Sequence, residues 1–316
     1  MSISTMLDGT WPRASFELFP PRGKSSAIWA RLEALYALSP DFLSVTYGAS
    51  GTGHAGREAS LEVLRYTKEH TSIPVLAHLT CTGVTRLQLV EVIEEMLEIG
   101  VRDFLALRGD PPKGKAYWKV VPGGIASSID LIDVIRAVAD AHGVEVDIAV
   151  AAYPTSEMEA RNRDIAALQS KEHHGATFAI TQLFFDAKEY AEHVMAMQEA
   201  GVTIPLVPGV LPLTDPSRLL RMSQLSGRPV PASLLKLLEI NDPAERVRRG
   251  LRATDQLICD ILDAGAPGIH LYTFNRTRPA RDIVERLRAQ NFRTADTGSI
   301  DVSFIEQALY NPSPGG

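Results

Sequence analysis

The stretch PVLAHLTCTGVTRLQLVEVIEEMLEIGVRDFLALRGD, residues 74–110, carries the pattern that decides the fold. Its opening segment, Pro74–Leu79, and its closing segment, Asp103–Arg108, are short apolar runs that predict buried strands. Between them, Arg86–Ile99 repeats apolar residues every three or four positions, which is typical of an amphipathic helix. Two strands joined by such a crossover predict a parallel strand–helix–strand unit.

The same alternation runs along the rest of the chain, with Gly or Pro at most of the joints. Eight strands, each followed by a helix, predict a single-domain (β/α)8 TIM barrel, although a doubly wound open sheet would show the same alternation. The segment Thr214–Asp263 is longer than the other crossovers and predicts an extra helix or two. The domain is expected to span residues 1–310, before a flexible C-terminal tail at 311–316. The other predicted strands are Ala14–Phe19, Phe42–Val45, Asp147–Tyr153, Phe178–Phe184, Pro205–Pro212 and Gly268–Asn275.

Composition excludes several classes of function. The chain carries 32 Lys and Arg against 38 Asp and Glu, a net charge of −6, which argues against a broad surface for nucleic acid or anionic membrane. No apolar run approaches the ~20 residues that span a bilayer, and the N-terminus lacks the pattern of a secretory signal. Two cysteines, Cys81 and Cys259, are too few for a zinc cluster or a disulfide framework, so no metal site is expected. We therefore expect a soluble, cytoplasmic, reduced protein.

Polar residues collect where the predicted strands end. In a TIM barrel these carboxyl ends form the face that carries the chemistry. Carboxylate, imidazole, amide and guanidinium groups are thus predicted to converge on one mouth. They include Glu17, Thr46, His78, Arg108, Asp110, Tyr153, Gln182, His270, Tyr272, Asn275 and Arg276.

These residues also have structural interpretations. Glu17 lies inside an apolar strand, where desolvating a carboxylate costs several kcal/mol, so a functional role is favoured. Asp110 could instead cap the next helix or pair with Arg108, and Gln182 could brace a loop. His78 and His270, like most histidines in apolar strands, are interpreted first as buried core residues.

A glycine motif at Gly51–Gly56 matches G-x-G-x-x-G between a strand and a helix. Dinucleotide binding through that motif also needs an acidic residue ~20 positions on, after the following strand. That strand offers His78 and no acid, which favours a flexible glycine loop over a Rossmann fold.

Taken together, the strand-end segments resemble the methylenetetrahydrofolate reductase family. Each segment alone is a weak signal, but eight of them follow in the family's order from about Ser15 to Leu287. The segments are Phe16–Pro21, Thr46–Gly48, His78–Cys81, Leu107–Asp110, Ala152–Pro154, Thr181–Asp186, Val207–Gly209 and His270–Arg276.

The resemblance implies a barrel enzyme that reduces 5,10-methylenetetrahydrofolate to 5-methyltetrahydrofolate with NADH or NADPH. In the usual family member FAD carries the hydride in two half-reactions. By position, Glu17 matches the general acid, Asp110 the acid that bonds the pterin, and Gln182 the amide that aligns the folate ring, with Arg276 a further substrate contact. The positions that match flavin contacts are Thr46, His78, Arg108, Tyr153, Asp164 and Lys171. Relatives commonly assemble, so a homo-oligomer is a further expectation.

Departures from the family pattern concentrate on the flavin positions. Ile125 stands where the family usually has tyrosine, Glu157 replaces a histidine, and Ser170 replaces an arginine. If each loss costs ~1–2 kcal/mol, the three weaken FAD binding by roughly two to four orders of magnitude. This predicts weak or absent FAD and direct hydride transfer from the nicotinamide to folate. The alternative is that Arg161 or Arg163 compensates and FAD binds normally.

Two other classes remain open. The chain could be a folate-binding relative without catalytic activity, which the intact Glu17 argues against. It could also be a barrel lyase or aldolase that shares only the scaffold. Such enzymes often use a Schiff-base lysine, and none lies in the predicted strands.

Overall fold

A computed structural model describes residues 2–9, 12–21, 26–47, 53–109 and 119–289. The predicted tail at 311–316, the start of the glycine motif and Asp110 lie outside the described residues. Across the described ranges, no helix combines the length and the apolar composition that crossing a membrane requires.

The strands form one parallel sheet in the order β7-β6-β5-β4-β3-β2-β1-β9-β8. β7 pairs with β6 and β8 pairs with β9, and only Pro208 separates β7 from β8, so the sheet returns on itself. This confirms the predicted barrel over the doubly wound alternative. The strands are β1 (Arg13–Leu18), β2 (Phe42–Val45), β3 (Val75–Thr80), β4 (Asp103–Leu107), β5 (Asp147–Ala152), β6 (Phe178–Thr181), β7 (Leu206–Val207), β8 (Gly209–Val210) and β9 (Gly268–Tyr272).

The predicted strand Pro205–Pro212 is therefore two short strands. Proline has no backbone N–H, so Pro208 interrupts the ladder, while its carbonyl still accepts from His270 N at 2.9 Å. The predicted strand Gly268–Asn275 also ends early, because Phe274 and Asn275 adopt left-handed backbone with φ of 51° and 55°. Pairing of β6 stops at Thr181, three residues before the predicted end.

Helices follow the strands around the barrel. The predicted helix Arg86–Ile99 is confirmed: a capping box of Thr85 and Gln88 starts it, and Gly100 ends it in a left-handed conformation. Two extra helices, α8 and α9, occupy the long crossover before α10, as its length predicts. The helices are α1 (Ile3–Leu7), α2 (Ser26–Tyr36), α3 (Gly53–His70), α4 (Arg86–Ile99), α5 (Ser128–Ala141), α6 (Met158–His173), α7 (Ala187–Glu199), α8 (Pro216–Ser226), α9 (Ala232–Leu238), α10 (Pro243–Asp263) and α11 (Thr277–Arg288).

The two ends of the barrel differ in polarity. Ile3 and Leu7 of α1 pack with Phe42 and Phe178 in an apolar cluster at the end where the strands begin. The carboxylate of Asp103 accepts from Ile3 N at 3.3 Å and tethers α1 there. Because α1 covers this end, the opposite end, where the strands terminate, is the open mouth.

Candidate active site

Strand alternation places Ser15 and Glu17 on the inner face of β1, since Ala14, Phe16 and Leu18 pack outward in the main core. Ser15 Oγ lies 2.8 Å from His270 Nδ1, and Ser44 Oγ lies 3.1 Å from His270 Nε2. Ser15 Oγ also lies 3.2 Å from Ile269 O, so the buried imidazole of His270 is held between two serine hydroxyl groups.

This inner layer is polar but uncharged. Burial lowers the pKa of His78 to about 3, and burial together with the neighbouring His78 lowers the pKa of His270 to about 3. Both imidazoles are therefore neutral at pH 7. His78 Nε2 has no hydrogen-bond partner among the described residues, and neither has the buried Thr46 Oγ1.

Glu17 lies near the carboxyl end of β1, at the mouth. It pairs in register with Ser44 on one side and Tyr272 on the other, both of which are uncharged. Desolvation by the surrounding protein raises the pKa of Glu17 from 4.5 to about 8, although its side chain keeps partial access to solvent. At pH 7 Glu17 is thus a neutral carboxylic acid that can donate a proton.

The turn after β9 holds the end of β1 in place. Thr273 Oγ1 donates to Glu17 O at 2.8 Å. Asn275 accepts from Phe19 N at 3.0 Å and donates to Phe19 O at 2.7 Å. Its side-chain amide thus bonds both backbone groups of Phe19, as a neighbouring strand would. Asn tolerates the left-handed backbone better than most residues, which explains its place in this turn.

Tyr272 lies on the inner face of β9. Its hydroxyl donates to Thr181 O at 2.8 Å, and burial raises its pKa, with Glu17 and Tyr153 as further causes. A Cβ at Gly209 would lie 2.4 Å from the Tyr272 hydroxyl, so only glycine admits the tyrosine there.

An aromatic and cationic layer lies beside this turn. Phe274 stacks on Phe19 with ring centroids 5.3 Å apart, and Arg218 Cζ lies 4.5 Å from the Phe274 centroid. Arg276, 60% exposed, lies 4.0 Å from the carboxylate of Asp215, as does Arg218. Arg218 was not among the predicted site residues. The available signal was that Asp215 and Pro216 start a helix a few residues after β8 ends, which places the first turn of the helix near the mouth.

On the opposite side of the mouth, two predicted cofactor positions bond to the protein backbone. The Asp164 carboxylate accepts from Tyr153 N at 2.7 Å, just after β5. Lys171 Nζ donates to Ala151 O at 2.8 Å, and burial lowers the pKa of Lys171. Both side chains are buried, whereas Tyr153 is 51% exposed.

The remaining predicted positions are spread around the rim. Gln182 N donates to Ala152 O at 2.7 Å, and its Oε1 accepts from Leu183 N at 2.9 Å, so it braces its own loop. The side chain of Arg108 is exposed, while its carbonyl accepts from Thr82 Oγ1 at 2.7 Å.

Two of the positions that depart from the family pattern, Ile125 and Glu157, lie in different environments. Ile125 packs against the main core, and Glu157 is exposed at the start of α6 without a side-chain capping bond. Arg161 Nη1 is engaged by Thr155 O at 3.1 Å and by Glu192 at 2.5 Å. Arg163 is 69% exposed and lies 3.9 Å from Glu159.

No group of three or more His, Cys, Asp or Glu side chains in the described part of the chain is arranged to hold a metal ion. Cys81 and Cys259 are both buried and unbridged.

The parallel barrel identifies the chain as a TIM-barrel protein. Its desolvated carboxylic acid lies at the carboxyl ends of the strands, where TIM-barrel enzymes have their active sites. Within that class the chain matches the family model described as methylenetetrahydrofolate reductase over residues 3–288, and it belongs to that family.

Individual relatives agree. The chain is 33% identical over 270 residues to the 5,10-methylenetetrahydrofolate reductase of Pectobacterium carotovorum, covering 83% of this chain and 85% of that protein. It is 31% identical to methylenetetrahydrofolate reductase (NADH) 1 of Zea mays, but spans only 48% of that longer protein. Among solved structures, the chain has the fold of an uncharacterised protein from Clostridium thermocellum that binds two copies of 5-methyl-5,6,7,8-tetrahydrofolic acid. The TM-score is 0.60 at 12% sequence identity, and the match covers 90% of this chain and 99% of that one.

Proposed function

We propose that this chain reduces 5,10-methylenetetrahydrofolate to 5-methyltetrahydrofolate with a nicotinamide nucleotide as the hydride donor, NADH rather than NADPH. The observation that carries the proposal is Glu17: desolvation raises its pKa to about 8, at the open end of a barrel of the reductase family. NADH is favoured because the name of the Zea mays relative specifies it.

The reaction needs one proton and one hydride. Glu17 donates its proton to a nitrogen of the bridged folate, which breaks the bond from that nitrogen to the methylene carbon. The remaining cationic methylene group accepts hydride from the nicotinamide and becomes the methyl group, and the nucleotide leaves oxidised. A neutral acid suits this step, since the donor should hold its proton at the working pH and lose it readily in the transition state.

Residues on the β1–β9 side of the mouth position the folate substrate. The cationic groups of Arg276 and Arg218 share one carboxylate, Asp215, at 4.0 Å each, which leaves surplus positive charge for the acidic end of folate. Gln182 is proposed as the amide that aligns the folate ring, and Asp110 as its second acid, the latter from its position in the sequence alone.

FAD fits this donor set poorly. Of the six positions assigned to flavin contacts, Asp164 and Lys171 bond to the β5 backbone. Arg161, which could compensate for the lost contacts, is engaged by Thr155 and Glu192. Glu157 adds a negative charge where a diphosphate needs positive groups. These contacts favour direct hydride transfer from the nucleotide to folate over a flavin relay.

The test is NADH oxidation with methylenetetrahydrofolate on protein whose bound flavin has been quantified, with and without added FAD. Turnover without flavin, unchanged by adding it, is expected. Initial rates over both substrates should give intersecting double-reciprocal lines, because direct transfer needs both reactants bound together. Parallel lines, or activity only with FAD, would establish the conventional flavoenzyme instead. Folate binding without any turnover would identify a non-catalytic relative.

A further inference from the structure

One side of α7 reaches the loop that follows β5. Glu189, Glu192 and His193 lie within one turn of that helix and therefore project to the same side. We call these three residues the clamp face, and the segment Tyr153–Glu157 the β5 loop. Each clamp residue connects to the backbone of the β5 loop, directly or through one further side chain.

The first two connections are polar and partly exposed. Glu189 Oε1 accepts from Ser156 N at 3.3 Å. Glu192 Oε2 lies 2.5 Å from Arg161 Nη1, which in turn donates to Thr155 O at 3.1 Å. These contacts hold the outer part of the β5 loop against α7.

The third connection is buried. His193 is fully inaccessible to solvent, and its Nε2 lies 3.3 Å from Asp164 Oδ2, the same oxygen that accepts from Tyr153 N. This is an ion-pair distance, but the ring N–H is not aligned for a hydrogen bond, and Nδ1 has no hydrogen-bond partner among the described residues.

Packing alone does not explain a histidine at this position. The other buried side chains of α7, Tyr190 and Met197, lie on the same stripe, and an apolar residue between them would avoid the cost of burying an incompletely bonded imidazole. What His193 adds is a polar contact to Asp164, which itself holds the first residue of the β5 loop.

The β5 loop lies across the mouth from the proposed acid. In the strand order, β4, β3 and β2 separate β5 from β1, so the β5 loop lies across the mouth from Glu17, and Tyr153 in that loop is 51% exposed. Folate is assigned to the β1–β9 side, which leaves the β5 side for the second reactant.

We infer that His193 is a positioning residue that acts through Asp164 to hold Tyr153 and the β5 loop where the nicotinamide nucleotide binds. This inference rests on the proposed function. His193 itself does not touch either reactant.

The test compares His193→Phe, which keeps a ring but removes the contact to Asp164, with His193→Gln, whose amide can reach the position of Nε2. The phenylalanine variant is expected to raise the KM and the dissociation constant for NADH about tenfold, while kcat, the KM for folate and the melting temperature change little. The glutamine variant should recover NADH binding to within about threefold of wild type. Met195→Ala, on the exposed side of α7, is the matched control and should behave as wild type.

An unchanged NADH dissociation constant in His193→Phe would overturn the inference. So would a parallel loss of kcat, folate affinity and melting temperature, which indicates a folding defect, or a glutamine variant that recovers nothing. Wild-type protein that binds NADH but never reduces folate would contradict the proposed function instead, and the binding comparison of the variants would still test the clamp.

Discussion

The two sides of the barrel mouth use their polar side chains in opposite ways. On the β1–β9 side, Thr273 bonds to the backbone of Glu17 and Asn275 to that of Phe19, just after β1, and the carboxyl group of Glu17 stays protonated and partly accessible. On the β5 side, the charges of Asp164 and Lys171 are taken up by the backbone at the end of β5. Around Glu17, other side chains bond the backbone and leave its carboxyl group available to a ligand. Asp164 and Lys171, which lie on α6, instead bond the end of β5 with their own side chains.

The largest effect is expected for Glu17→Gln, which tests the proposed proton donor on the β1–β9 side directly. An amide of the same shape cannot supply the proton, so kcat should fall by about 10²–10⁴-fold while the dissociation constant for folate stays within a few-fold. Rapid-mixing turnover and equilibrium binding of folate give the two numbers. Asp186→Asn, which removes an exposed carboxylate from the rim, is the control and should keep its activity. Near-normal turnover of Glu17→Gln would refute the acid role.

The pH profile of the wild type checks the same residue without mutation. Because the pKa of Glu17 is raised to about 8, its protonated form predominates below that value and is lost above it. The rate should therefore be level on the acidic side and fall as pH rises through about 8, up to tenfold per pH unit. A rate that instead rises through this range would exclude Glu17 as the proton donor.

An intermediate effect is expected for Asn275→Ala, which removes the support of the acid. Phe19 loses both of its bonds to the amide, at about 1 kcal/mol for each of these partly buried bonds, and alanine is strained at a φ of 55°. We expect the melting temperature to drop and kcat/KM to fall about tenfold. Asn275→Gly relieves the backbone strain without restoring the bonds, so its activity should stay low. Full activity in the glycine variant would show that strain, not bonding to Phe19, is what matters.

The smallest effect is expected for Lys171→Met on the β5 side. Methionine fills a similar volume without a charge, so the cost of burying the Lys171 ammonium group is removed together with its bond to Ala151 O. Stability should change by about 1 kcal/mol, for the donor lost by Ala151 O, and the KM for NADH should stay within about threefold. Thermal unfolding and steady-state kinetics measure both. A tenfold rise in that KM at unchanged stability would mean that Lys171 contacts the nucleotide and that the two sides are not built differently.

Much of the fold could be predicted because it depends on local patterns. The period of the apolar residues defined α4 to the residue, and the length of the segment before Asp263 predicted its extra helices. The misjudged strand ends have non-local or conformational causes. Pro208 breaks the ladder, and the left-handed turn at Phe274 and Asn275 depends on bonds to Phe19, which is distant in sequence.

The site was harder to predict than the fold. Glu17 was predicted to be functional because a carboxyl group within an apolar strand is costly to desolvate. His193 was missed, although a polar residue on the buried stripe of a helix signals a partner. Its partner, Asp164, lies on another helix, and no periodicity in α7 could identify it.

The alternating strands and helices, the barrel class, the family and the residue types at the strand ends can be read from periodicity, composition and motif order. Which polar side chains remain available at the mouth depends on the three-dimensional fold. That outcome depends on desolvation and on hydrogen bonds between residues far apart in the chain, as between Asn275 and Phe19 or between His193 and Asp164. Burial by neighbouring strands makes Glu17 an acid at neutral pH, and the backbone of β5 binds Lys171, although both are charged residue types in the sequence.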